Sequence, residues 1–408
     1  MSKNSYMRKV KMGEVVRYRR QKGDCALPVL SVTMDAGVVR RNTLERKIQE
    51  CEDINSYQYV AKGDLVYNMM RMWQGASGIS QEDGLISPAY IVCAPTDNID
   101  PLFLGYFCKL NATIQNFERY SYGITGDRLR LYFKDLASIP ISLPPLSDQK
   151  RVVQVLATWD RAIDLTERLL AEKQKLRKGL MQQLLTGKRR FLRFTKNTAV
   201  RKTRFGAIPK DWGYPRIGDV AGYVSAKNAD GTALPVLSCT KHKGLVDSLE
   251  YFGKQVFSKD LSTYKIVRRG QFAYATNHIE EGSIGYQDLH DEAVISPMYT
   301  VFEAGGKVND AFLYLLLKTD LYRHIFQART SASVDRRGSL RWNDFSKIRI
   351  PLPRLDEQAK IVGAFVKLDH ELSLLDAKLE ALREQKRGLM QQLLTGKVRV
   401  PAAVTGTT

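Results

Sequence analysis

Few residues in this chain stand at spacings that catalysis uses. Asp148 and Lys150 could form part of a nuclease motif, but no second carboxylate upstream is placed to share a metal ion. Gly187-Lys188 lacks the earlier glycine of a phosphate-binding loop and reads more simply as a helix end with a cation near the carboxyl end of the dipole. Pro144-Pro145 lacks the Asp or Asn before it and the aromatic after it that amino-methyltransferases use. No glycine-rich strand–turn–helix fingerprint for a nucleotide or methyl donor is present. The five cysteines (Cys25, Cys51, Cys93, Cys108 and Cys239) are odd in number, irregularly spaced and form no CxxC pair, so they read as buried or incidental thiols. No catalytic group, metal site or cofactor is therefore expected. The polar residues that remain suit contact with a ligand. Arg71, Trp73 and Gln74 follow one strand-like segment, and Asn277 with His278 follow another. Arg128 and Arg130, and Arg336, Arg337 and Arg341, form two basic loops.

The elements that must position these residues occur twice. The decapeptide GLMQQLLTGK stands at Gly179–Lys188 and again at Gly388–Lys397, 209 residues on. At the same offset Leu143-Pro144-Pro145-Leu146 with Gln149 answers Leu352-Pro353-Arg354-Leu355 with Gln358, and Ile86-Ser87-Pro88 answers Ile295-Ser296-Pro297. Nearer the start the offset is 207, pairing Pro28-Val29-Leu30-Ser31 with Pro235-Val236-Leu237-Ser238 and Gly63 and Tyr67 with Gly270 and Tyr274. Length changes confined to loops are the mark of a duplicated folded unit. Arg71–Gln74 then aligns approximately with Asn277-His278, so the two copies place different polar residues after equivalent strands.

Each copy ends in a long run free of proline. Steps of four and three from Ile361 reach Phe365, Leu368, Leu372, Leu375, Leu379, Leu382, Lys386, Leu389 and Leu393, a heptad seam. The matching steps from Val152 meet Thr166, Lys173 and Arg177 among apolar residues, and Leu165, Leu169 and Leu176 form a second stripe. Ser147-Asp148 and Asp356-Glu357 suit helix starts, and Gly187 and Gly396 suit helix stops. Runs near 35 residues, roughly 50 Å long, exceed what one small domain covers, so each should bury its seam on the other. The polar members of the first seam suggest a face offered to another subunit. Short strands are expected at Leu65–Tyr67, Tyr90–Val92, Phe272–Tyr274 and Tyr299–Val301, and short helices at Phe103–Leu110 and Ala311–Lys318. The expected class is α+β: two mixed α/β domains separated by two long helices in an antiparallel coiled coil, with internal pseudo-two-fold symmetry. The divisions are 1–146, a helical spacer 147–190, a linker and second domain 191–355, and a second spacer with tail 356–408.

Sixty-three Lys and Arg against 43 acidic residues give a net charge of +20 and a pI near 9.6, which calls for a polyanionic partner. No apolar stretch reaches the 18 residues of a membrane span, and the N-terminus lacks a signal-peptide core, so no membrane contact and a cytoplasmic location are expected.

Two variable domains alternating with near-identical helices, opened by L-P-x-L-x-x-Q and closed by GLMQQLLTGK, resemble the specificity subunits of type I restriction-modification enzymes over essentially the whole chain. The resemblance implies that each variable region is a target recognition domain reading one half of a split double-stranded DNA sequence. It implies that the paired helices set the spacing and dock two DNA methyltransferase (modification) subunits, to which restriction subunits add. On that resemblance the docking positions are Leu180, Met181, Gln182 and Gln183 with Leu389, Met390, Gln391 and Gln392. Dividing the rod length by the rise per base pair puts the half-sites about 10–15 base pairs apart. A scaffold that binds only proteins, or a stand-alone nuclease, fits less well, since two diverged domains would be idle in the first and the carboxylate cluster is missing for the second. Substituting Arg336 and Arg337 together should weaken DNA binding and flatten its salt dependence in a titration against ionic strength; unchanged binding would remove them from the interface.

Overall fold

The computed structural model of the chain describes residues 6–24, 26–44, 56–123, 128–195, 199–203, 206–330 and 338–401. It forms two compact units, residues 1–168 with 377–408, and residues 169–376.

The first unit begins with β1 (Arg8–Lys11), β2 (Val16–Tyr18), β3 (Leu30–Thr33), β4 (Gly37–Arg40) and β5 (Gln58–Val60). β6 (Leu65–Asn68), β7 (Ser77–Ile79), β8 (Gly84–Ile86) and β9 (Tyr90–Pro95) follow. Then come α1 (Pro101–Cys108), α2 (Asn111–Arg119), α3 (Phe133–Ser138), β10 (Pro140–Leu143) and the long α4 (Leu146–Leu184), whose first part lies in this unit. An antiparallel sheet in the order β2-β9-β6-β7 carries α1 on one face. The hairpin β3-β4 and the pair β5-β8 are joined by a parallel bridge from Val29 to Leu85. β6 is apolar at successive positions because both its faces are covered: Leu65 and Tyr67 join the core beneath the helices, while Val66 joins Leu30, Val60 and Val92.

The second unit repeats the plan. After the small hairpin β11 (Val200–Thr203) and β12 (Gly206–Pro209) come β13 (Ala221–Val224), β14 (Val236–Thr240), β15 (Gly244–Asp247) and α5 (Ser248–Phe252). β16 (Lys265–Arg268), β17 (Gln271–Ala275), β18 (Ile284–Tyr286), β19 (Glu292–Ile295) and β20 (Tyr299–Ala304) lead into α6 (Asp310–Leu317), α7 (Asp320–Arg329), α8 (Trp342–Phe345) and α9 (Leu355–Leu394). The sheets run β13-β20-β17-β18 and β15-β14-β19-β16, strand for strand the order of the first unit. All four strands expected from the sequence lie inside observed elements, while the two expected helices overlap α1 and α6 but run past their ends, since Lys109 and Lys318 are C-caps and Leu110 caps α2. α1 and α6 start slightly earlier than expected, because Asp100 and Asn309 cap them with side-chain oxygens.

The L-P-x-L-x-x-Q motif acts as a lock. Gln149 and Gln358 are buried at the start of the long helices. The Gln149 amide donates to the Pro144 carbonyl at 2.9 Å and accepts from the Asp100 backbone N–H at 2.9 Å. Gln358 donates to Pro353 at 2.8 Å and accepts from Asn309 at 2.7 Å. Each glutamine thus ties the start of a long helix to the cap of a domain helix. The expected N-cap at Ser147 is corrected: α4 begins at Leu146, and the Pro145 carbonyl receives the N–H groups of Asp148 and Gln149, so Ser147 lies within the first turn.

The seam holds at every position named, each being buried or half-buried. In the first unit Asp160 pairs with Lys386, and Glu167 with Arg383 at 2.6 Å. In the second, Lys173 pairs with Glu371 at 2.7 Å and Arg177 with Asp369 at 2.5 and 3.0 Å. Within each unit numbers rise along one helix as they fall along the other, so the helices run antiparallel. Lys173 and Arg177 therefore face α9, which corrects their expected role as a face for another subunit. Leu165, Leu169 and Leu176 are the exposed stripe.

Replacing Gln358 with Leu leaves the Asn309 N–H without its acceptor at a partly buried site. It should cost the second unit about 1–3 kcal/mol, read as a fall in unfolding midpoint of the full chain. A midpoint unmoved by Gln358→Leu would refute the lock.

Candidate nucleic-acid interface

After β6 the chain makes a tight turn. Asn68 accepts from the Met70 N–H at 2.9 Å, and the Arg71 carbonyl receives the N–H groups of Gln74 and Ala76. Met72 is fully buried and pins the turn, which leaves Arg71 and Gln74 exposed and Trp73 half-exposed. The Trp73 indole N–H donates to the Met70 carbonyl at 3.0 Å, so the ring offers a partner its face rather than its donor. The turn after β17 has the same frame. Ile279 is the buried pin, and His278 (φ −140°, ψ 12°) repeats the backbone of Arg71 (φ −134°, ψ 11°). Arg71 thus corresponds to His278, Trp73 to Glu280 and Gln74 to Glu281, while Asn277 corresponds to Met70. Both turns close on a left-handed glycine, Gly75 (φ 88°) or Gly282 (φ 96°), a conformation side chains resist.

The basic segments lie beside these turns. The Leu131 N–H donates to the Met69 carbonyl at 2.9 Å, and in the other unit Leu340 donates to Thr276 at 2.8 Å. Arg128 and Arg130 are exposed on the strand-like segment whose Arg130 exchanges two backbone hydrogen bonds with Tyr122. Arg341 is exposed immediately after Leu340; Arg336 and Arg337 lie outside the described residues. Many other arginines are neutralised locally, as Arg19 is by Asp64, Arg268 by Glu292 and Arg269 by Asp291. Arg71, Arg128, Arg130 and Arg341 form no ion pair among the described residues, which leaves their charge available to an anion.

The electrostatics of the two turns differ in sign. Arg71 makes the first basic. In the second, His278 lies 3.3 Å from Glu281, and His278, Glu280 and Glu281 bring their ligand atoms within 4.8 Å of one another. Carboxylates repel phosphate but accept from base amino groups.

A further pair of exposed turns was not singled out from the sequence: the β3–β4 turn and its counterpart between β14 and β15. Thr33 accepts from the Ala36 N–H at 3.0 Å, and Thr240 from the Lys243 N–H at 3.1 Å, each hydroxyl also donating to the following glycine carbonyl. The exposed residues between are Met34-Asp35-Ala36 in one unit and Lys241-His242-Lys243 in the other. The available signal was Thr33 and Gly37 recurring as Thr240 and Gly244 around a changed centre.

The cysteine reading agrees with the structure where it is described. Cys93, Cys108 and Cys239 are free thiols, and burial pushes Cys108 and Cys239 up to about 12, far from reactivity; Cys25 and Cys51 lie outside the described residues. Asp148 serves structure: hydrogen bonds from Tyr6 and Arg151 hold its carboxyl below the usual range.

The decapeptide copies divide by face. Leu184 and Leu185 are buried in the second unit's core, with Leu180 and Met181 half-buried against it; Leu393, Leu394, Leu389 and Met390 do the same in the first unit. Gln182, Gln183, Gln391 and Gln392 are exposed. Met390 and Gln391 line a cleft of about 1350 Å³ in the first unit, and Met181 and Gln182 a pocket of about 220 Å³ in the second. Among the described residues no helix is long and apolar enough to cross a membrane.

Comparison with known proteins places this arrangement. The family model described as "Type I restriction modification DNA specificity domain" matches residues 5–173 and again 209–384. The chain is 24% identical over 354 residues to the type I restriction enzyme MjaVIII specificity subunit of Methanocaldococcus jannaschii, covering 82% of this chain and 79% of that one. It is 23% identical to the putative MjaX specificity subunit of the same organism, over 86% of this chain and 81% of the relative. Its fold is similar to a chain from a structural study of complex assembly and conformational transition in the type I R-M system (TM-score 0.57, 16% identity, 98% and 100% covered). It is also similar to the HsdS subunit from Thermoanaerobacter tengcongensis (TM-score 0.53, 17% identity, 97% and 98% covered).

Replacing Arg71 and Gln74 with alanine should lower discrimination between cognate and single-base-variant DNA by about 1–3 kcal/mol for each side chain that reads a base edge. Competition binding with the assembled complex measures this. Equal losses on cognate and unrelated DNA would reassign both residues to phosphate contact.

Proposed function

Because this chain belongs to the type I restriction modification DNA specificity domain family, we propose that its two units read the two parts of one split, asymmetric DNA sequence. The chain is the DNA target-recognition subunit of a type I restriction-modification complex, is non-catalytic, and acts with modification and restriction subunits. The observation that carries the finer reading is a common backbone frame bearing different outward residues: Arg71, Trp73 and Gln74 in one unit, His278, Glu280 and Glu281 in the other. Identical readers would need a symmetric target; these do not match.

The chemistry of reading follows from the side chains. An arginine in the major groove pairs with the guanine edge, glutamine or asparagine with adenine, and a carboxylate accepts from the cytosine amino group. Arg71 and Gln74 suit the first two. Glu280 and Glu281 suit the third, with Asn277 beside them. Arg128 and Arg130 in one unit, and Arg336, Arg337 and Arg341 in the other, supply phosphate contacts that fix register without choosing sequence. Two modification subunits are expected because the exposed glutamines of the decapeptide recur unchanged in both units, offering one partner the same surface twice. The assembly belongs in the cytoplasm, with the DNA it marks.

Footprinting on target DNA with the modification subunits present tests the reading. Two protected tracts of unlike sequence flanking an unprotected gap are expected. One continuous tract, or two copies of the same sequence, would overturn it; cleavage by this chain alone would revive the nuclease reading.

A further inference from the structure

Each unit holds a half-buried lysine that the proposed reading does not use. Lys109 is the C-cap of α1 and Lys318 the C-cap of α6, 209 residues apart. The Lys109 ammonium donates to the Met34 carbonyl at 2.8 Å and to the Gly75 carbonyl at 2.8 Å. Lys318 donates to the Lys241 carbonyl at 2.9 Å and to the Gly282 carbonyl at 2.9 Å, with Ile284 at 3.5 Å. Met34 and Lys241 sit in the β3–β4 and β14–β15 turns, while Gly75 and Gly282 close the reading turns. One cation therefore joins the same two turns in each unit. Neither lysine forms an ion pair among the described residues, and burial pushes both ammonium groups below their usual range. A charge retained twice in so unfavourable a place must serve its carbonyl partners.

An independent contact binds the same turns. A side chain at Gly78 would come within 2.8 Å of the Gly37 Cα, and one at Gly285 within 2.4 Å of the Leu245 nitrogen and 3.0 Å of the Gly244 carbonyl carbon. Strand β7, leaving the reading turn, thus lies backbone against backbone on the hairpin, as does β18. Gly37, Gly75 and Gly78 all recur at an offset of 207, although the exposed residues they hold in place have changed.

We propose that Lys109 and Lys318 are positioning residues for sequence recognition, each fixing a reading turn and its neighbouring hairpin turn as one rigid contact surface. This rests on the reading of DNA by those turns. Each lysine acts through the backbone it holds and touches no base, so its loss should relax discrimination in its own unit only. Preorganised donors and acceptors lose less on binding than mobile ones, and a turn free to shift can accommodate a wrong base.

The test uses the full chain assembled with its modification subunits and compares Lys109→Met, Lys318→Met and Lys109→Arg. Amide hydrogen exchange without DNA reads the staple directly: Lys109→Met should speed exchange at Gln74, Gly75 and Ala76 by about tenfold or more. Competition binding reads the consequence: about tenfold or more loss of discrimination at the half-site read by the first unit, none at the other, the reverse for Lys318→Met, and recovery in Lys109→Arg. Partial unfolding of one unit would speed exchange throughout that unit's core strands, whereas loss of the staple speeds it at the two turns alone. Unchanged exchange in Lys109→Met, or equal loss at both half-sites, overturns the proposal. Arg71→Ala with Gln74→Ala separates it from the reading beneath it. If that pair leaves discrimination intact while exchange in Lys109→Met rises, the turn is held as described but does not read DNA.

Discussion

The fold depends on the burial of one leucine pair at the far end of each long helix. Leu393 and Leu394 complete a core built with Val152, Val153 and Leu156 at the start of α4; Leu184 and Leu185 complete one built with Ile361 and Phe365 at the start of α9. Neither unit can close its core with its own half of the duplicated sequence. Each borrows the end of the helix that the other half begins. That exchange explains why the decapeptide stayed identical while the domains drifted: its leucines must fit a core, its Leu-Met positions must fit a helix seam, and its glutamines face outward. A close-packed core tolerates little change of volume, so three demands on ten residues leave little room for drift.

The same constraint extends into buried charge in the second unit. Arg190, just beyond α4, donates to Glu357 at 2.8 and 2.7 Å and to Asp211 at 3.0 and 2.9 Å, while the Trp212 indole N–H donates to Glu357 at 3.1 Å. Only 8% of the Arg190 side chain and 2% of the Glu357 side chain are exposed. Such a pair holds because both carboxylate oxygens and the guanidinium fork are satisfied. In the first unit Asp148 stands where Glu357 does and Arg399 where Arg190 does, with Tyr6 between, its ring 3.6 Å from the Arg399 guanidinium. Asp148 pairs instead with Arg151, so the positions recur while the cation that neutralises the carboxylate has changed.

How much of this the sequence disclosed depended on whether an interaction leaves a period or a spelling. The seam was legible to the residue, including Thr166, Lys173 and Arg177, because helix periodicity reports burial whatever the side chain. What faced those polar positions was not legible, since Asp369 and Glu371 lie almost two hundred residues away. Gln149 and Gln358 were visible as letters of a motif, but their bond to a helix cap 49 residues upstream leaves no pattern. The equivalence of Arg71 and His278 was legible because they follow strands that both copies share. The β3–β4 turn was passed over for the opposite reason: its outward residues are free to vary, and only the threonine and glycine beneath them repeat.

That contrast between frame and tip bears on how such a protein changes its target. The frame is set by residues whose side chains or lack of them act on backbone: Thr33 and Thr240 on turn amides, Gly78 and Gly285 on close strand approach, Lys109 and Lys318 on carbonyls. None of these interactions involves the outward side chains, so Arg71, Trp73 and Gln74 can become His278, Glu280 and Glu281 without disturbing the turn. Substitutions that leave the core and hydrogen-bonded backbone alone cost little stability. Two demands that usually conflict, a rigid contact surface and a freely varied one, are therefore met by different atoms of the same loop.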